Sequence, residues 1–281
     1  MTSRPTWGAL GAFSIGVVGS LAAATLLRSH PPGGVERWTR TNYAGHTVTL
    51  LEGPAFVVSA VAGALAGGSG APAAVAGLGA GAFGALDDLV GDSSRKGLGG
   101  HLAAACRGEV TTGAIKIVGL GATGLLTACM DRSRTRTGPM ATLIGGAVIA
   151  GSANIVNLLD LRPGRALKVV LLCSVPLLGS RGTLSSTAAA GAAAAGAAAG
   201  AAIGALPDDL GGRSMLGDMG ANSAGALLGT ALVARTGLAG RLLALAVVTA
   251  LTLASEKFSF TTVIEATPGL RELDALGRPP G

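Results

Sequence analysis

The sequence predicts an all-α fold, a polytopic bundle of about nine membrane-spanning helices. Three observations carry this. Of the 281 residues, 49% are hydrophobic and only 13% charged, with a mean hydropathy of +0.57, whereas a soluble chain is about a quarter charged. The apolar residues fall in runs close to the twenty or so that a helix needs to cross about 30 Å of hydrocarbon. The 47 glycines have no three-residue period, which excludes a collagen-like chain, and the hydrophobicity excludes disorder.

The first run is 8–27, twenty residues long. Further spans at 54–68, 72–90, 113–130, 138–159, 166–179, 184–206, 221–234 and 241–254 bring the number to nine. Segment 187–205 is almost pure alanine and glycine. Its Gly196, Gly200 and Gly204 form a face that lets another helix approach backbone to backbone. After the last span Thr267 reads as a helix cap, Pro268 as a first-turn residue and Gly277 as a stop, with Leu270, Leu273 and Leu276 on one face. The chain therefore divides into a membrane domain, 1–254, and a cytoplasmic tail with a short interfacial helix, 255–281.

Nine crossings place the termini on opposite faces. With the N-terminus outside and the C-terminus cytoplasmic, the inner segments are 28–53, 91–112, 160–168, 207–220 and 255–281. Together with Lys116 they hold 14 of the 21 Lys and Arg, the bias expected of cytoplasmic loops. The Arg132/Arg134/Arg136 cluster and Arg4, Arg181, Arg235 and Arg241 lie opposite. The net charge of +6 is accordingly read as loop bias, and with 3% aromatic residues there is no stacking platform for nucleic acid. Cys106, Cys129 and Cys173 form neither a disulfide framework nor a thiolate metal site. Fourteen of the fifteen acids share the cytoplasmic side, all but Asp131. Acids do not set topology, so the asymmetry points to a cytoplasmic site for a metal or for acid chemistry.

Three motifs lie on that side. Asp87 and Asp88 end the third span, just before Asp92. Adjacent carboxylates repel and call for a proton or cation, and hard oxygens suit Mg²⁺ together with substrate phosphates. Asn154, Asn157 and Asp160 follow at intervals of three along one helical face. That stripe runs into Arg162, Arg165 and Lys168, cations suited to phosphate. Gly217-Asp218-Met219-Gly220 precedes the eighth span, where glycines free the backbone to approach a ligand and a helix start offers N–H groups to an anion. Asp208-Asp209 echoes Asp87-Asp88 at the end of another inward-running span.

In their order these motifs resemble the polyprenyl-phosphate N-acetylhexosamine-1-phosphate transferases. That family includes phospho-N-acetylmuramoyl-pentapeptide transferase and undecaprenyl-phosphate N-acetylglucosamine-1-phosphate transferase. The resemblance covers roughly residues 36–235 and implies a Mg²⁺-dependent (or Mn²⁺-dependent) reaction at the cytoplasmic face of the inner (plasma) membrane. A polyprenyl phosphate would attack a UDP-activated amino sugar, releasing UMP, in cell-envelope or peptidoglycan precursor synthesis. It implies Asp87, Asp88, Asp160 and Asp218 as catalytic residues, Asp218 and Asp88 as metal ligands, and Asn154, Asn157, Arg162, Arg165, Gly217, Gly220 and His46 around the substrates. A homodimer is left open. The chain departs from the family pattern at Pro163, where a second acid is usual, and at Ala221 after the G-D-x-G. Its three histidines, His30, His46 and His101, all precede the region where the family carries a His-rich loop. Two other readings stand beside this one. A family member without turnover would bind polyprenyl phosphate or an envelope-synthesis partner. A transporter would place its ionisable groups near mid-span rather than at span ends.

Overall fold

Each expected span coincides with a helix of the computed structural model, which describes residues 5–42, 45–91, 111–135, 137–179 and 185–279. Arg4, Asp92, His101, Cys106, Arg136 and Arg181 lie outside the described residues. The helices are α1 (Pro5–Ser29), α2 (Glu52–Ala66), α3 (Ala71–Val90), α4 (Thr112–Thr135), α5 (Pro139–Leu159), α6 (Arg165–Leu178), α7 (Ser186–Leu210), α8 (Gly217–Arg235) and α9 (Leu238–Ser255). Two short tail helices follow, α10 (Phe260–Ala266) and α11 (Leu270–Ala275).

Six of these helices, α1, α3, α4, α5, α7 and α9, are long and apolar enough to cross a membrane. The other three fall short of that standard, by length or by polarity. Helices α2 and α6 have 15 and 14 residues, about 22 and 21 Å at 1.5 Å per residue, short of a 30 Å core. Helix α8 carries Asp218, Asn222, Ser223 and Arg235. It tolerates them because most of its residues are enclosed by protein, where polar groups find partners instead of lipid.

Helices α7 and α8 form the centre. Helices α1, α2 and α6 pack on α7, while α3 and α5 pack on α8, with α4 between α3 and α5 and α9 outside α5. The outer helices present leucine, isoleucine and valine outward: Val18, Leu21 and Leu26 on α1, and Leu242, Leu243 and Leu253 on α9. The small residues of α7 have a definite partner in α1. A Cβ on Gly200 would stand 2.0 Å from the Phe13 carbonyl oxygen, and one on Gly196 2.6 Å from that of Ala9.

Irregular structure is confined to the loops. Contrary to a purely helical expectation, a two-stranded ribbon, β1 (Thr39–Thr41) and β2 (Thr47–Thr49), pairs antiparallel with Thr39 opposite Thr49. Thr49 continues onto the loop before α8, donating to Arg213 O (3.2 Å) and accepting from Met215 N (3.1 Å). Threonine and valine favour this extended pairing. In the tail, α11 is capped at Gly269, whose N–H donates to Glu272, and not at Thr267, whose hydroxyl donates back to Val263 O (2.7 Å).

The tail is held by a buried ion pair. Arg165 donates from Nε and Nη2 to the two oxygens of Asp274 (2.7 and 3.0 Å) and from Nη1 to Thr261 (2.8 Å). Arg278 joins Asp274 at 2.9 Å. Burial by itself would raise the Asp274 carboxyl, but the hydrogen bonds and charge of Arg165, with Arg278, hold it below the usual carboxylate range.

Gly200→Val drives a side chain into the α1 backbone and lowers the melting temperature in detergent, by an amount corresponding to about 3 kcal/mol. Gly11→Val, on a face with no atom within 4 Å of the added Cβ, leaves it nearly unchanged. Because the Asp274 pKa is depressed on folding, its contribution is present above about pH 4 and lost as pH falls below that. Pepsin should accordingly begin to cleave within 259–279 as pH drops below about 4. Asp274→Ala, which leaves Arg165 buried and unpaired at a cost of about 3–5 kcal/mol, should expose the tail to protease at neutral pH.

Candidate active site

Helix α8 starts without a capping side chain of its own, since Leu216 at its N-cap supplies no acceptor. The first amides of a helix lack intrahelical partners, and here carboxylates from two other helices fill that role. Asp88, near the end of α3, accepts from Asp218 N–H through Oδ1 (3.0 Å) and from Met219 N–H through Oδ2 (2.8 Å). Asp160, just past α5, accepts from Gly217 N–H. Gly217 has φ of +60°, and a Cβ there would stand 3.0 Å from Asp88 Oδ2, so glycine keeps the place open for the cap.

The cap sets the neighbours of Asp218. Its Oδ2 pairs with the ammonium of Lys116, a buried lysine of α4. Lys116 Nζ is also 3.5 Å from Asp87 Oδ2. With its amide oriented so that both ends find partners, Asn157 donates to Asp218 Oδ1 (2.7 Å) and accepts from Lys116 Nζ (2.8 Å). The carboxyls of Asp87 and Asp218 are themselves in hydrogen-bond contact, which requires a proton or cation between them. Burial, and then the charges of Asp209 and Asp218, push Asp160 well above the usual carboxylate range despite the Gly217 N–H.

Asp87, Asp88, Asn157, Asp160 and Asp218 thus stand together at one end of the bundle. Lys116 joins them. From sequence alone it is one more cation on the loop side, although a lone lysine inside an apolar helix is itself a signal. Asn154 points elsewhere, its Nδ2 lying 3.5 Å from Thr252 Oγ1 in α9.

Several of the expected substrate contacts are spent within the protein. Arg165 is consumed by Asp274 and Thr261. Arg162 reaches Glu265 (2.8 Å), and Lys168 Nζ reaches the carbonyls of Leu273 (3.2 Å) and Asp274 (2.6 Å). Asp274 offers Arg165 the bidentate oxygens that a phosphate would have supplied, Glu265 gives Arg162 one carboxylate oxygen, and Lys168 is met by backbone carbonyls. The N–H groups of Gly217 and the two residues after it face Asp160 and Asp88, not an incoming anion. Gly220 N–H bonds Leu216 O (3.2 Å), and a Cβ on Gly220 would be 2.9 Å from Gly53 Cα, so this glycine brings α8 against α2. His46 is exposed in the β1–β2 turn, where its N–H donates to Asn42 Oδ1 (2.9 Å). Among the described residues it takes no part in the carboxylate cluster.

The same geometry bears on Asp88 and Asp218, the expected metal ligands. Both oxygens of Asp88 are engaged by amides, whereas Asp87 and Asp218 face each other across Lys116. Among the described residues no three His, Cys, Asp or Glu converge to hold a metal ion. Two carboxylates are nevertheless what Mg²⁺ takes from a protein when phosphates complete its shell, and the Asp87–Asp218 pair, already answered by an ammonium, has the charge and hard oxygens for it. From Asp87 and Lys116 a groove of about 400 Å³ runs between α4, α5 and α9, walled by Ile117, Leu120 and Leu158 and edged by Asn154 and Thr252.

No protein-family model matches the chain, and no curated protein matches it.

Asp88→Ala leaves two amides of α8 uncapped and should destabilise the protein by about 1–2 kcal/mol, read as a lower melting temperature in detergent. Asp87→Ala bares no amide and should cost less. The opposite ranking would mean that the cap does not hold α8.

Proposed function

We propose that the protein transfers a sugar-1-phosphate from a UDP-activated amino sugar to a polyprenyl phosphate at the cytoplasmic face of the plasma membrane. One observation supports this above the rest: Asp87 and Lys116, with Asn154, Thr252, Ser255 and Glu256, line a groove whose remaining walls are apolar, among them Ile117, Leu120 and Leu158. Such a groove suits an isoprenoid chain with its phosphate at Lys116. In this reading all nine helices cross, with the N-terminus outside, and the carboxylate cluster lies at the inner surface. The exposed Val263, Leu270, Leu273 and Leu276 of the tail then rest at the membrane interface.

Lys116 holds the lipid phosphate by charge and orients one of its oxygens toward the sugar-bearing phosphorus of the UDP-sugar. A new P–O bond forms there, the bond to the UMP oxygen breaks, and UMP leaves with the electron pair. Asp87 accepts the proton of a lipid phosphate that arrives protonated. Mg²⁺ or Mn²⁺, held by Asp87 and Asp218, would supply charge neutralisation of the diphosphate. Asn157 orients Lys116 and Asp218, while Asp88 and Asp160 are positioning residues that act through the first turn of α8.

Ligand binding without turnover is the second reading. It is favoured by the engagement of Arg162, Arg165 and Lys168 with the tail, which takes three cations away from a diphosphate.

Incubation of the purified protein with UDP-sugars, polyprenyl phosphate and Mg²⁺ should release UMP, and chelation should stop it. Lys116→Met and Asp218→Asn should each lower the rate by about 100-fold or more, the scale for removing one transition-state charge contact, while eluting as folded protein. If no sugar in a broad panel is turned over, yet polyprenyl phosphate raises the melting temperature, the second reading replaces the first.

A further inference from the structure

The Asp87–Asp88 pair has a counterpart in Asp208–Asp209 at the end of α7. Asp208 pairs with Arg28 and Arg213. Asp209 accepts from the Gly164 N–H at the start of α6, much as Asp88 serves α8. Its Oδ2 has no partner, although the residue is only 2% exposed. Asp160, 7% exposed, repeats the pattern: one contact to a backbone N–H, and Oδ2 without a partner. Both carboxylates line one cavity of about 20 Å³ together with Ser214, room for a single water-sized body. Behind Ser214, Glu52 is 4% exposed, accepts the Ser214 hydroxyl proton at Oε2, and leaves Oε1 unpartnered.

Buried carboxylate oxygens without partners are expensive, and neighbouring ones repel. The cationic side chains whose charge reaches Asp209 are Arg278 and Lys168, and both are engaged elsewhere. Arg278 donates to Pro163 O and pairs with Asp274, while Lys168 bonds the carbonyls of Leu273 and Asp274. Arg162 also lines the cavity, and its guanidinium is paired with Glu265.

We propose that Asp160 and Asp209, with the Ser214 hydroxyl oxygen as a neutral donor, hold a hard divalent cation in this cavity. Because the Ser214 proton is given to Glu52, its lone pairs are available to the ion. Carboxylate and hydroxyl oxygens are hard donors and select Mg²⁺, Ca²⁺ or Mn²⁺. Two carboxylates balance the charge. Among the described residues three acids do not converge on one point, so Glu52 stays outside the shell and feels the ion through Ser214. The ion joins the end of α5, the end of α7 and the loop before α8. It is a structural ion, separate from the Mg²⁺ of the proposed reaction, and rests on none of that reading.

The test uses full-length Asp218→Asn protein in detergent, so that the reaction-site cation is weakened, stripped with chelator and titrated with Mg²⁺, Ca²⁺ or Mn²⁺. The expected result is a rise in melting temperature with at least one of these ions and about one equivalent retained by elemental analysis. Adding Asp209→Asn should weaken that binding at least tenfold. In chelator, the same change should raise the melting temperature, because it removes a repelling charge. Should Asp209→Asn fail to fold, Ser214→Ala, which removes only the neutral donor, should weaken binding several-fold. No ion-dependent stabilisation in the Asp218→Asn protein, or undiminished binding in the folded second-site variants, would overturn the proposal. Failure of UMP release in the wild type leaves these readouts unaffected, so the two readings fail separately.

Discussion

A helix that begins inside a protein must have its first amides satisfied by something other than itself. Helix α8 begins beside Leu216, and the acceptors come from Asp88 on α3 and Asp160 beyond α5. Charge and geometry agree, because a carboxylate at a helix N-terminus also meets the positive end of the helix dipole. The two caps join three helices at one level of the bundle. Everything polar nearby inherits its place from them. With the start of α8 fixed on Asp88, Asp218 is carried next to Asp87, and Lys116 of α4 falls between the two.

Close packing makes that junction reachable. In lipid there is no hydrophobic drive between helices, so association rests on contact, and small residues permit the most. The glycines and alanines of α7 let α1 lie against its backbone, and Gly220 and Gly53 do the same for α8 and α2. A core of small side chains therefore surrounds α8 with protein. That enclosure allows Asp218, Asn222 and Arg235 to sit on a central helix without meeting hydrocarbon.

The basic stretch after Asp160 turns out to be part of the same economy of partners. Arg162, Arg165 and Lys168 face a tail that brings Glu265 and Asp274, so acids and bases of the chain satisfy one another. The charged groups that line the groove are the smaller set of Asp87, Lys116 and Glu256. A site of this kind has few groups but strong ones, since each interaction is formed in surroundings of low dielectric.

Local sequence was enough to locate nine helices, because apolar runs of helical length and their polar breaks are properties of neighbouring residues. It also marked Asp87, Asp88, Asn157, Asp160 and Asp218 as a group, since each polar residue at the edge of an apolar run stands out. What it could not supply was the partner of each. Lys116 read as one more loop charge, Arg165 as a phosphate ligand, and Gly220 as a place for a substrate to approach. The structure gave them Asp218, Asp274 and Gly53. An apolar run keeps its helical character whatever surrounds it. A charge or a missing side chain takes its role from whatever lies within a few ångströms, and those neighbours are separated along the chain by as many as 167 residues between Gly53 and Gly220, so only the folded chain decides them.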